Sequence, residues 1–222
     1  MRVWHVIVFA VLVGTGVPVA IHYHEHGTVV PLQVALAFFY WLNTIIAVWE
    51  ICLFLRISTI EIEHRRLIAT HRGRELEVVR DFFSSRVPLA RVLSPTLWSG
   101  VWSSYSVFDD SYANRRSFGF FVDIGNGFTT LVPSLLCLYG MTYAWLPARV
   151  LGLVGLVICW QMFYGTVVYL ASFFFNRRHV GHSPLVIATI IGMSNGLWFA
   201  FPIVGMYASI GMIYTDSYAL FR

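Results

Sequence analysis

Lysine is absent from this chain: the 15 basic side chains of its 222 residues are all arginine, against 11 acids, for a formal charge of +4. Charge of either sign is scarce, at 12% of residues, where soluble domains carry about 25%. That scarcity excludes an ordinary soluble globule. The arginines form no stripe interleaved with exposed aromatics, so nucleic acid is not an expected partner. Their excess suits lipid headgroups instead. Cysteine is limited to Cys52, Cys137 and Cys159, each in an apolar stretch and without zinc or redox spacing, so they are read as small packing residues. There is no Gly-rich phosphate loop and no nucleophile elbow. Neither metal nor cofactor is expected. No internal repeat or low-complexity tract occurs.

What remains is apolar: 58% hydrophobic, 17% aromatic, mean hydropathy +0.70. A membrane-crossing helix needs roughly 20 mostly apolar residues. Five stretches qualify, at residues 3–22, 30–55, 118–145, 148–175 and 184–214. The expected fold class is therefore an all-α integral membrane protein, a bundle of five transmembrane helices with an intramembrane cavity, forming one domain over 1–222. Arg2 and the run Val17-Pro18-Val19-Ala20 give the first stretch some features of a cleaved signal, but it is read as a true span.

Residues 56–117 are polar and amphipathic and form the expected connector. Its first half reads as a helix along the membrane surface, or simply as a solvated link, and Pro88 and Pro95 break it. The segment from Leu97 to Val107, with Trp98, Trp102 and Tyr105, reads as an interfacial aromatic piece. Arg2, the connector arginines, Arg177 and Arg178 fall on one side of a five-span topology, and only Arg149 and Arg222 on the other. The excess of positive charge puts the N-terminus and the connector in the cytoplasm. The membrane would be the endoplasmic reticulum in a eukaryote, or the inner (plasma) membrane in a bacterium.

Few polar groups interrupt the apolar stretches, and those few are informative. Glu50 lies in the second, with Asn43 seven residues earlier on the same helix face. Asp123, Asn126 and Thr130 share a face of the third. Gln161 and Tyr164 share one of the fourth, and Asn195 and Trp198 one of the fifth. A carboxylate in hydrocarbon is costly unless neutralised or paired, so Glu50 and Asp123 mark a candidate site. A dry carboxylic acid is easier to keep protonated than to ionise, which makes it a proton donor. Trp198 offers an aromatic face to a cation, and Asn195 a hydrogen bond to an acid or a substrate hydroxyl. An equally physical reading of Asn43, Asn126 and Gln161 is that they hydrogen-bond helix to helix. Gly192 and Gly196 read as a close-packing pattern. His22, His24 and His26 alternate, which does not suit one helix face. His179 and His182 are placed at a loop mouth, His64 and His71 in solvent, and Asp109-Asp110 in a turn.

In order along the second half stand Leu97-Trp98, Asp110-Ser111-Tyr112, Asp123, Gln161-Met162-Phe163-Tyr164-Gly165 with Tyr169, Gly181-His182-Ser183-Pro184-Leu185, and Asn195-Gly196-Leu197-Trp198 with Pro202. This series resembles the emopamil-binding protein (EXPERA) family, the sterol Δ8–Δ7 isomerases and their relatives. The resemblance implies a five-helix bundle with a membrane-embedded cavity that binds sterols and amine drugs. It also implies movement of a ring double bond through a carbocation. Carried over residue by residue, the acids are Glu50 and Asp123, with Asn195 and Trp198 on the last helix. Two positions depart from the pattern. Ile46 stands where the isomerases have a histidine one turn before the second-helix acid, and Asp123 is one methylene shorter than their glutamate. Trp49-Glu50 also resembles the second-helix Trp-Glu of the small membrane-bound meroterpenoid cyclases.

The expected function is thus a sterol or terpenoid isomerase or cyclase that protonates its substrate, without a cofactor. Glu50 and Asp123 are the expected catalytic residues, and Asn43, Asn126, Tyr164, Asn195 and Trp198 the expected substrate-binding ones. The expected partners are an isoprenoid or sterol, membrane lipids and a second copy in a homodimer. The alternative is a non-catalytic sterol- or lipid-binding membrane protein, favoured by Ile46.

Overall fold

A computed structural model describes residues 1–222. It contains helices and turns and no β-sheet; one isolated antiparallel bridge joins Arg2 to Arg86. The helices are α1 (Val3–His26), α2 (Pro31–Thr70), α3 (Glu75–Ser84), α4 (Pro95–Tyr105), α5 (Phe118–Tyr143), α6 (Ala148–Phe175), the single turn α7 (Pro184–Val186) and α8 (Met193–Thr215). A π-helical stretch, Ile187–Gly192, joins α7 to α8. Four helical stretches are long and apolar enough to cross a membrane: Val3–His26, Phe118–Tyr143, Ala148–Phe175 and Pro184–Thr215. The chain is thus all-helical and compatible with multiple membrane passes. Pro18, Pro133 and Pro202 lie inside these helices. Membrane helices tolerate them because neighbouring groups satisfy the freed carbonyls.

The fifth expected span, residues 30–55, is the first part of the 40-residue α2. Beyond it, where a surface helix or a solvated link was expected, the helix continues to Thr70, marked only by non-helical backbone angles at Arg56 (φ −125°, ψ 18°). Beyond that point charged side chains support it, as in the Arg66–Glu63 pair at 2.7 Å. The aromatic piece of the connector forms α4, with Pro95 at its first turn and with Trp98 and Trp102 buried in protein. Trp98 stacks on Trp49 at 5.3 Å, and Trp102 Nε1 donates to the Trp49 carbonyl at 2.6 Å.

Contacts within the chain group into two compact units, with α2, α5 and α6 each contributing a stretch to both. Unit 1 comprises Met1–Phe9, Ala47–Phe128 and Val168–Gly192. Its interior holds Trp49, Leu53, Ile60, Trp98, Trp102, Phe108, Tyr112, Phe120 and Phe173. The first residues of the chain are tied down within it, since Val3 N donates to Ser85 O and Val87 N to Met1 O. Unit 2 comprises Ala10–Ile46, Thr129–Val167 and Met193–Arg222. Its core is built from Leu36, Phe39, Tyr40, Leu138, Leu151, Met162 and Met212, among others. Gly14 lets α1 lie against the Trp41 indole: a Cβ there would fall 1.8 Å from the ring. The same indole donates to Ala10 O at 2.8 Å.

Candidate acid site

Unit 1 brings together the two carboxyls expected to act. Glu50 is 5% exposed on α2. Its carboxyl lies near enough to that of Asp123 on α5 for the two charges to interact. The encounter has a backbone cause. Gly127, one turn after Asp123, lies so near α2 that a Cβ would fall 2.8 Å from Glu50 Cβ and 3.0 Å from the Ala47 carbonyl. Residues four apart share a helix face, so close approach at Gly127 delivers Asp123 to the same side as Glu50.

The two acids are held differently. Glu50 Oε2 is buried and has no hydrogen-bond partner. Asp123 is half-buried on α5, and its charge reaches the buried Tyr112. Tyr112 is itself wedged among rings. It stacks on Trp102 at 5.1 Å, meets Tyr105 edge-on at 5.1 Å and lies 6.0 Å from Tyr169. Burial pushes its hydroxyl well above the ordinary tyrosine range, and the charge of Asp123 adds to the effect. It therefore stays a donor at neutral pH.

Next to this pair stands a group that the sequence did not single out. Asp109 is 1% exposed. Arg178 Nη1 donates to its two oxygens at 2.8 and 2.9 Å, Tyr169 OH donates at 2.6 Å, and Ser111 N at 3.0 Å. The Arg178 guanidinium also lies 5.6 Å from the Tyr169 ring centre and 5.4 Å from that of Phe173. The pair thus clamps the turn before α5 to the end of α6. A signal existed: Tyr105, Phe108 and Tyr112 make the flanks of Asp109 too apolar for a solvated loop. His182 stacks near Phe108 at 5.9 Å, and His64, expected in solvent, is half-buried with Nδ1 3.0 Å from Ser106 Oγ.

Unit 2 holds Asn43, Asn195, Trp198 and Tyr164. Asn43 is buried, and both its N–H groups are spent, on Thr130 Oγ1 and Ser134 Oγ at 2.9 Å each. Trp198 Nε1 donates to Asn43 Oδ1 at 2.8 Å. Asn43 therefore joins helices, the alternative open to it, and leaves a substrate no amide hydrogen. Trp198 is partly buried, with Phe39 edge-on at 6.0 Å. Asn195 is half-buried beside Ser194. Tyr164 is corrected: it was expected to turn inward, but is 57% exposed and stacks on Trp160 at 6.0 Å. Gln161 reaches Thr129 between α6 and α5. Asn126, in unit 1, is half-buried on α5. The three cysteines are buried thiols, with Tyr40 OH 3.5 Å from Cys159 Sγ.

A buried acid with one oxygen unpartnered, near a half-buried second acid, is an arrangement that can hold and pass a proton. The chain matches no family model, no curated protein and no solved structure.

Proposed function

We propose that this protein is a membrane-embedded isomerase or cyclase of a sterol or other terpenoid, which it protonates from Glu50. The observation that carries the reading is the meeting of Glu50 and Asp123, with Glu50 Oε2 left unpartnered in a buried setting. A carboxyl placed this way offers a hydrocarbon substrate a proton. The second carboxyl supplies negative charge for the carbocation that results, and takes up the proton finally lost. General acids of this kind contribute about 10²–10⁴-fold to rate. We further propose that residues 30–55 form a fifth span. Glu50 is the one charged residue in that stretch, and helical geometry first lapses at Arg56.

The test is direct. Vesicles containing the protein are supplied with a panel of ring-unsaturated sterols, prenylated epoxides and linear polyprenyl compounds, and products are read by mass spectrometry. The wild type should convert one class, and Glu50→Gln should lower that conversion by about 10²-fold or more. Full turnover in Glu50→Gln removes the acid from the mechanism. Retention of a ligand without any conversion by the wild type would instead identify a binding protein.

A further inference from the structure

We propose that residues 86–93 form a membrane anchor: Leu89 and Leu93 enter the headgroup layer of the leaflet at which α1 begins, and Arg2, Arg86 and Arg91 bind the phosphates of anionic lipids around them. The proposal rests on α1 crossing the membrane and not on the acid chemistry. Backbone bonds fix where the segment sits. Arg2 pairs with Arg86 in the isolated bridge, Val3 N donates to Ser85 O at 3.1 Å, and Val87 N donates to Met1 O at 2.7 Å. Val3 is the first residue of α1, which is long and apolar enough to cross a membrane. A span that begins there has its first turn at the boundary between water and lipid, the level that suits Trp4, which is 41% exposed. Residues 85–87 share that level. Leu89 follows Val87 by two residues and so stands within about 7 Å of it.

The segment itself suits that layer. Leu89 is 76% exposed and Leu93 92%. A lone exposed leucine is ordinary, but two on one short turn beside the start of a span form a patch. The turn closes its own backbone bonds: Arg91 N donates to Pro88 O at 2.9 Å, Val92 N to Leu89 O at 3.1 Å and Ser94 N to Arg91 O at 2.9 Å. From α4, the Nε1 of the buried Trp98 donates to Val92 O at 2.7 Å and braces the turn from behind. Peptide groups bonded to one another can enter a poorly hydrated layer without stranding donors or acceptors. Charge completes the match. Arg2, Arg86 and Arg91 are exposed and join no ion pair, whereas Arg66, Arg74, Arg80 and Arg115 each do. Neither residues 1–24 nor residues 82–108 contain an acid, so the field around the turn favours anionic headgroups over zwitterionic ones. Arginine stems lie along apolar surface while their heads stay at phosphate level, which lets the leucines go deeper than the charges.

Depth-resolved quenching on the full chain tests this, with one copy in each lipid nanodisc so that a second copy cannot cover the turn. The three native cysteines are buried, so a small polar thiol-reactive fluorophore can be directed to one added cysteine. Leu89→Cys and Leu93→Cys report on the turn, and Leu12→Cys, 66% exposed and about 14 Å along α1 from Val3, reports on the span. Labels at 89 and 93 should be quenched by bromines carried high on the acyl chains, about 5–10 Å into the boundary, and the label at 12 by deeper ones. Quenching at 93 should strengthen when phosphatidylglycerol is added to phosphatidylcholine, and Arg86→Gln/Arg91→Gln should abolish that gain. A quenched label at 12 with labels at 89 and 93 open to water overturns the proposal and leaves the turn to a protein partner. An unquenched label at 12 overturns it too, since α1 then does not cross. A gain that survives Arg86→Gln/Arg91→Gln overturns the assignment of the arginines. Turnover is not read, so the proposed activity stands or falls separately.

Discussion

The proposed chemistry rests on single residues, and their legibility in the sequence depended on contrast. Glu50 and Asp123 stood out because a carboxyl in an apolar stretch has no cheap explanation. Asp109 did not, because it sits in a charged, turn-rich stretch where an acid passes for solvated. Spacing placed Asn43 and Trp198 on faces of their own helices but could not say that those faces meet, nor that Tyr164 turns outward. His64 shows the same limit, since only folding reveals that Ser106 meets its ring. Its folded pKa lies below the ordinary 6.5, chiefly through burial, with Arg65 lowering it further and Asp110 and the Ser106 contact raising it. The sign follows. The unfolded chain takes up a proton as pH drops through 6.5, and the folded chain resists until lower pH, so stability falls across that interval. Thermal unfolding followed in detergent should show the fall in the wild type and a smaller one in His64→Gln.

At the scale of elements, the connector is the main departure from expectation. Length and charge made it look like a link, yet it supplies α4, whose tryptophans pack on Trp49, and the turn that carries Tyr112. Amphipathic charge patterns do not reveal which helix a tryptophan will cover. The clamp between this turn and α6 is a buried ion pair, with Asp109 fully enclosed and Arg178 nearly so. Removing one partner strands the other charge, which costs about 3–5 kcal/mol. Asp109→Asn and Arg178→Met should each lower the unfolding midpoint strongly. The double variant should lose less than the sum of the two, a non-additivity read from a double-mutant cycle. The crossing of α2 and α5 is equally specific. Gly127→Ala places a methyl against Glu50 and the Ala47 carbonyl, and overpacking of this kind costs about 1–3 kcal/mol. Denaturant or thermal titration of the variant checks it.

For the molecule as a whole, composition alone announced the helical class: a chain with so few charges and so many apolar residues has few folds open to it. The division into two compact units was not legible, because long apolar helices look uniform along their length while their packing is not. Orientation follows from arginine. With five spans, reporters fused at the N-terminus and inserted near Gly73 should both read as cytoplasmic, and one at the C-terminus should read as non-cytoplasmic. An even number of crossings would put both ends on the same side.

The glycine at 127 also bears on the shorter acid at 123. Where two helix backbones nearly touch, a side chain needs little reach to cross the gap, and an added methylene has nowhere to go but back on itself. Spacing between the rods and length of the carboxyl arm are therefore matched quantities: widening the one would call for lengthening the other. A chain that exchanged Gly127 for a bulkier residue would be expected to regain its acid pair only with glutamate at 123.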